Sequence, residues 1–138
     1  MNKHNIFVDT NVLIGAYSDR LEDKNCLSYL YQLTGKRLFT SALSIAQLVS
    51  VFQKKKTNTE IKDIVSRIMA KFTVLSFVDK DIVNAMSKEN CDMEDSIQYV
   101  ISQKNKCLYF VTNNVKDYKN FANLCPVRSN AIRIIKKD

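Results

Sequence analysis

Turn-making residues are scarce: the 138-residue chain holds two glycines and a single proline. Folds built from many short strands need tight turns at close intervals, so this scarcity disfavours an all-β architecture and favours helices. Histidine occurs once, and the four cysteines, Cys26, Cys91, Cys107 and Cys125, are widely spaced with no Cys-x-x-Cys pair. That spacing disfavours a zinc site and a disulfide framework, and leaves scattered, reduced, semi-buried thiols as the expectation. His4, at the start of a strand, reads as an edge residue rather than a ligand. No apolar run is long enough to span a bilayer, and the N-terminus enters a strand with no signal-peptide core. No membrane association and a cytoplasmic location are therefore expected. Internal repeats and low-complexity segments are absent as well.

Hydrophobic residues make up 46% of the chain and charged ones 25%, which suits one globular domain, spanning residues 1–138, with a real core. The formal net charge is +7, and it is unevenly placed. Residues 36–72 carry +6 and residues 126–138 carry +3, while 1–35 and 73–125 are each at −1. A basic surface segregated from acidic stretches fits a polyanionic substrate whose chemistry needs a metal. For Lys54, Lys55 and Lys56 alone, a solvated helix end serving solubility explains the run equally well.

The organising stretch runs from Ile6 to Ile14. Ile6, Phe7 and Val8 read as a strand buried on both faces, beginning at His4. A short helix over residues 12–17 follows, with Thr10 or Asn11 available as its N-cap. Asp9 thus stands where a central strand hands over to a helix, the place where open α/β sheets bind ligands. Simple helix capping is the competing role for this acid.

Farther along, Asp23 is placed to cap a helix carrying Cys26, Leu27, Leu30, Tyr31 and Leu33, closed by Gly35. Residues 37–40 form a second strand. Ser41 caps a third helix that runs into the lysines, and Thr57 or Asn58 starts a fourth with the stripe Ile61, Ile64, Val65, Ile68 and Met69. Residues 72–77 alternate as a third strand. Asp79 caps a helix with Ile82, Val83, Ala85 and Met86. Residues 92–101 form another helix with its acids in the first turn, where the macrodipole favours negative charge. Residues 108–112 are the second strongly apolar strand and the expected neighbour of the first. Residues 113–118 are a polar turn opening a short helix, Pro126 falls in a linker, and residues 131–135 form a final strand. Strands alternating with helices imply right-handed crossovers and a mostly parallel sheet covered on both faces.

Four carboxylates can then be assembled. Asp9 and Asp117 follow the two apolar strands, and Asp92 and Asp95 lie three apart on one helix face. Clustered carboxylates repel one another unless a hard cation holds them, and an all-oxygen set selects Mg²⁺ or Mn²⁺. On a phosphodiester, such a site activates water and stabilises the leaving oxygen. An ordinary acidic first turn and a surface Asp117 account for the same residues without chemistry.

The stretch Phe7-Val8-Asp9-Thr10-Asn11-Val12-Leu13-Ile14 resembles the opening motif of PIN-domain ribonucleases. Asp92-Met93-Glu94-Asp95-Ser96-Ile97-Gln98 resembles their third-acid helix. Val111-Thr112-Asn113-Asn114-Val115-Lys116-Asp117-Tyr118 resembles their fourth motif, and all three stand in the family's order. The resemblance implies a PIN-like α/β/α sandwich with a parallel five-stranded sheet of order 3-2-1-4-5. It implies Mg²⁺- or Mn²⁺-dependent cleavage of single-stranded RNA, by a relative of the VapC-like toxins of toxin–antitoxin pairs. Carried over by position, Asp9, Asp95 and Asp117 are the catalytic acids, with Asp92 beside them in the metal set. Thr10, Asn11, Ser41, Thr112, Asn113 and Asn114 support them. The family's second motif places a Glu in the helix after strand two, where this chain has Gln47. An amide oxygen can still ligate or accept a hydrogen bond, but one negative charge is gone.

Two functions from different classes follow. One is an endoribonuclease toxin, restrained by an antitoxin, with Lys54, Lys55, Lys56, Arg128 and Arg133 on RNA phosphates. The other is a catalytically degenerate PIN-like module that binds RNA or protein, motivated by Gln47. A phosphoryl-transfer enzyme using Asp9 as nucleophile ranks below both, because Asn11 stands where its second acid belongs. Tyr31, Val51 and Phe52 suit a homodimer or antitoxin surface, and suit the core equally well.

Overall fold

The computed structural model describes residues 2–88, 92–114 and 124–126, with side chains for 5–88 and 92–114. Strand β1 (Asn2–Val8) lies at the centre of a parallel sheet. On one side it pairs with β2 (Arg37–Ser41), which pairs with β3 (Thr73–Leu75). On the other side it pairs with β4 (Cys107–Thr112) in the register Phe7↔Phe110 and Val8↔Val111. The four strands stand in the order 3-2-1-4, and a short β5 (Leu124–Pro126) pairs in parallel outside β4. Among the described residues, six helices connect and cover them: α1 (Thr10–Ala16), α2 (Leu21–Tyr31), α3 (Ala42–Phe52), α4 (Asn58–Lys71), α5 (Asp79–Met86) and α6 (Met93–Lys104).

The period of two along β1 divides the core into two layers. Ile6 and Val8 enter one cluster with Val12 and Leu13 of α1, Leu27 and Leu30 of α2, Leu48 and Phe52 of α3, and Ile64 and Ile68 of α4. Phe7 enters the other, with Phe39, Phe110, Ala85 of α5, and Ile97 and Ile101 of α6. Phe7 and Phe110 stack at 5.1 Å between ring centroids, 10° from parallel. Truncating Phe7 to alanine would cost about 3–5 kcal/mol, because both transfer and cavity terms apply in a closed layer. This double burial is what the unbroken apolar run before Asp9 requires, and it fixes the strand end that presents the acid.

The helix starts have local causes. Ser41 Oγ accepts from the Ser44 amide at 2.9 Å and opens α3. Thr57 and Glu60 form a reciprocal capping box that opens α4. Several sequence-based boundaries need correction. The N-cap of α1 is Asp9 itself, so neither Thr10 nor Asn11 serves. Asp23 is not a cap: α2 starts at Leu21 with Arg20 before it, and Asp23 is buried inside. Gly35 does not close α2, which ends at Tyr31; it takes φ 72° in the turn before β2. Asp79 is the first residue of α5, and it is Asp81 that accepts from the Val78 amide. Strand β3 spans three residues rather than six. Pro126 ends β5, where a missing N–H is tolerated, instead of lying in a linker.

The strand expected over residues 131–135 lies outside the described residues, as do Cys91 and Cys125. Cys26 and Cys107 are buried thiols, and burial pushes the Cys107 thiol up to about 12. Phe52 belongs to the core, and Tyr31 and Val51 pack half-buried against it. Met69, Val83 and Met86, expected on apolar stripes, are exposed. No helix among the described residues is long and apolar enough to cross a membrane.

Candidate functional site

Asp9 ends the central strand. Its amide donates to the Val111 carbonyl at 2.9 Å, which extends the β1–β4 ladder by one bond. Asp9 is 3% exposed, and among the described residues its carboxylate gathers these donors. Oδ1 accepts from the Thr10 amide at 2.8 Å, and Oδ2 accepts from Thr112 Oγ1 at 2.8 Å and Asn11 Nδ2 at 3.1 Å. Capping engages only one of the two oxygens: Oδ1 closes the helix and Oδ2 faces the end of β4. Asn11 Oδ1 in turn accepts from the Asn113 amide at 3.0 Å, and Thr112 Oγ1 accepts from the Asn114 amide at 3.0 Å. Two motifs about a hundred residues apart are joined into one hydrogen-bonded unit.

Beside this unit opens a cavity of about 530 Å³. Asp9, Thr10 and Asn11 form one wall with Asn114, Glu94 and Asp95 form the α6 wall, and Gln47, Ser50 and Val51 form the α3 wall. Among the described residues its polar lining consists of carboxylates, amides and a few hydroxyls, without His or Cys, which is a hard-cation donor set. Among the described residues, no three of His, Cys, Asp and Glu stand close enough to form a metal cluster. Asp117 lies outside the described residues, with Arg128 and Arg133.

The remaining expected residues divide as follows. Asp95 lines the cavity, and Asp92 is not among the described lining residues. Asp92 is the N-cap of α6, and its Oδ2 accepts from the Glu94 and Asp95 amides at 3.1 and 3.3 Å. Glu94 takes its place on the wall and was not singled out from sequence. Gln47 Nε2 donates to Glu94 Oε2, so an amide here tolerates a carboxylate that a second acid would repel.

Behind the cavity wall lies a neutral network centred on Gln98, which sequence reading passed over as part of a helix. Gln98 is 1% exposed. Its Nε2 faces Ser44 Oγ at 2.7 Å, Thr10 Oγ1 at 2.9 Å and Gln47 Oε1 at 3.3 Å, and its Oε1 accepts from Ser41 Oγ. Thr10 Oγ1 is 2.6 Å from Gln47 Oε1, to which it donates. Ser41 therefore anchors Gln98 as well as capping α3. An uncharged polar residue in an apolar helix pattern was the available signal. Lys54 and Lys55 are exposed in the turn that continues from the Ser50–Val51 wall, and Lys56 Nζ lies 5.2 Å from the centre of the Phe52 ring.

Comparison with known proteins places this geometry. The family model described as PIN domain matches residues 6–124. Ribonuclease VapC1 of Aquifex aeolicus is 26% identical over 129 residues, covering 86% of this chain and 87% of that protein. Among solved structures, a toxin–antitoxin complex from Klebsiella pneumoniae superposes with a TM-score of 0.69 at 17% identity, over 86% of this chain and 94% of that one. VapBC2 from Rickettsia felis, bound to a DNA fragment from its promoter, gives 0.69 at 17% identity, over 88% and 96%.

Proposed function

The chain belongs to the PIN-domain family, and from that premise we propose that it is a metal-dependent endoribonuclease that cleaves single-stranded RNA. We assign it the role of toxin in a type II toxin–antitoxin pair, by likeness to Ribonuclease VapC1 and to the solved toxin–antitoxin complexes. The observation that carries the reading is the meeting of Asp9 and Asp95 on one cavity at the sheet rim. The carboxylate and amide oxygens of the described lining suit Mg²⁺ or Mn²⁺, held by Asp9 and Asp95 with Asp117 as the further acid. When bound, the cation supplies an activated water and stabilises the leaving oxygen. Thr112 and Asn11 hold Asp9 Oδ2 in a fixed orientation, and the lysine turn beyond Val51 draws in the RNA backbone. The expected test is that purified protein with Mn²⁺ cuts RNA and that Asp9→Asn lowers the rate at least about 100-fold with its circular dichroism unchanged. Cleavage unaffected by that change refutes the assignment.

The second reading is a degenerate module that binds RNA or protein without turnover. The amide of Gln47, built into the Gln98 network, favours it. A silent parent that gains Mn²⁺-dependent cleavage on Gln47→Glu would establish it. A short neighbouring open reading frame for a DNA-binding protein with a disordered tail would favour the toxin.

A further inference from the structure

Asp23 is 0% exposed, on the inner face of α2. Its Oδ1 accepts from Asn113 Nδ2 at 2.8 Å. Its Oδ2 has no hydrogen-bond donor among the described residues and lies 3.7 Å from Arg20 Nε. Gly15 of α1 sits directly against it: a Cβ there would fall 1.7 Å from Asp23 Oδ2. Two helices thus close on a carboxylate whose hydrogen bonding is only partly satisfied, a costly arrangement for packing alone.

The bond from Asp23 leads to the site. Asn113, whose side chain Asp23 holds, gives its backbone amide to Asn11 Oδ1 at 3.0 Å. Asn11 gives its Nδ2 to Asp9 Oδ2 at 3.1 Å and lies 3.3 Å from Thr112 Oγ1. We propose that Asp23 is a positioning residue for the Asp9 site, a buckle that fixes Asn113 from behind so that Asn11 and Thr112 keep the Asp9 carboxylate aimed. A carboxylate makes a stronger, charge-assisted bond to an amide N–H than a neutral acceptor does, which suits it to this task. Small displacements of a reacting group are expensive in rate, so a fault at Asp23 reaches the chemistry without touching substrate.

The proposal rests on the nuclease reading for its kinetic test, and a second readout keeps the two separable. Full-length Asp23→Ala, Asp23→Asn, Asn113→Ala and the double Asp23→Ala/Asn113→Ala are compared in Mn²⁺-dependent cleavage of a single-stranded RNA. Asp23→Ala should lower kcat about 10-fold or more with KM nearly unchanged, Asn113→Ala should match it, and the double should be no worse than either. Asp23→Asn, which retains an acceptor for Asn113, should recover most of the loss. Additive losses, or wild-type kcat in Asp23→Ala, overturn the proposal. If Asp23→Ala does not fold, wild-type kcat in Asn113→Ala overturns it, and a 10-fold loss there with recovery in Asp23→Asn supports it. If the parent cuts no RNA, the nuclease reading fails and hydrogen exchange decides. The Asn113 amide should then exchange about 10-fold faster in Asp23→Ala than in Asp23→Asn, and equal exchange overturns the buckle.

Discussion

Asp9 Oδ2 accepts a 2.8 Å hydrogen bond from Thr112 Oγ1, joining residues 103 positions apart at the ends of adjacent parallel strands. That one bond ties the acid of the candidate site to the polar stretch after β4. The strands bring their ends to the same rim, and the hydroxyl fixes the carboxylate within it. Thr112→Val keeps the shape of the side chain and removes the donor. Cleavage should fall about 10- to 100-fold through kcat, with Mn²⁺ affinity measured by calorimetry falling in parallel. A Thr112→Ser variant should recover most of both.

Gly15 and Asp23 form a steric pair. A methyl at Gly15 meets the carboxylate at 1.7 Å, in an α1–α2 contact with little room to shift. Gly15→Ala should destabilise by about 1–3 kcal/mol in urea unfolding, and Asp23→Ala in the same chain should remove most of that penalty. Additive costs would mean that the two side chains do not share the space.

Most of the sheet was legible in the sequence because β1 and β4 are buried on both faces and read as unbroken apolar runs. Ser41 and Thr57 mark helix starts by cap chemistry that survives any tertiary context. That Asp9 and Asp95 line one cavity was legible through motif order. Asp23 was not, since an acid near a helix start looks the same whether solvent or a glycine lies behind it. Glu94 was passed over for a similar reason: the exact helix start decides that Asp92 caps α6 while Glu94 lines the cavity, and a run of acids does not reveal it. Gln98 was hidden because its partners come from α1 and α3, and no local pattern announces them.

Gln47 and Glu94 face each other across the cavity, amide to carboxylate. Gln47→Glu sets two carboxylates together and should lower thermal stability in EDTA by a few degrees, a penalty of about 1 kcal/mol. Mn²⁺ should restore the loss and raise the melting temperature above that of the parent in Mn²⁺, because the added charge favours the cation. In Gln47→Glu/Glu94→Gln the EDTA penalty should vanish. A Gln47→Glu variant indifferent to EDTA and Mn²⁺ would separate residue 47 from any metal role.

The lysine turn offers a salt test. Replacing Lys54, Lys55 and Lys56 together by Gln should weaken RNA binding uniformly across sequences. Each lost phosphate contact on a single strand should lower the slope of log K against log salt by about 0.7, so about 2 for three contacts. Lys56 also lies over the Phe52 ring, so its replacement alone carries a small stability cost of about 0.5–1 kcal/mol. An unchanged slope would return these lysines to the role of solubilising surface.

Two buried acids should pull stability in opposite directions with pH. Burial of Asp81 would raise its pKa, but the Lys104 ammonium at 2.6 Å and the Val78 amide outweigh it and hold the group below its ordinary value. A depressed carboxylate stabilises the fold above its ordinary pKa, and that contribution is lost as pH falls through the folded value. Asp81→Asn should therefore flatten the acid limb of stability against pH. For Asp23, burial raises the pKa and outweighs the Asn113 bond and the Arg20 charge. A raised carboxylate binds its proton more tightly in the folded state, so its contribution declines as pH rises from the ordinary value through the raised one. Asp23→Asn should gain on the parent over that interval and hold its gain at neutral pH, opposite in sign to Asp81→Asn. Urea titrations of the two variants from about pH 3 to 7 measure both slopes against the parent, and equal signs would show that the Asp23 carboxylate is not desolvated in solution.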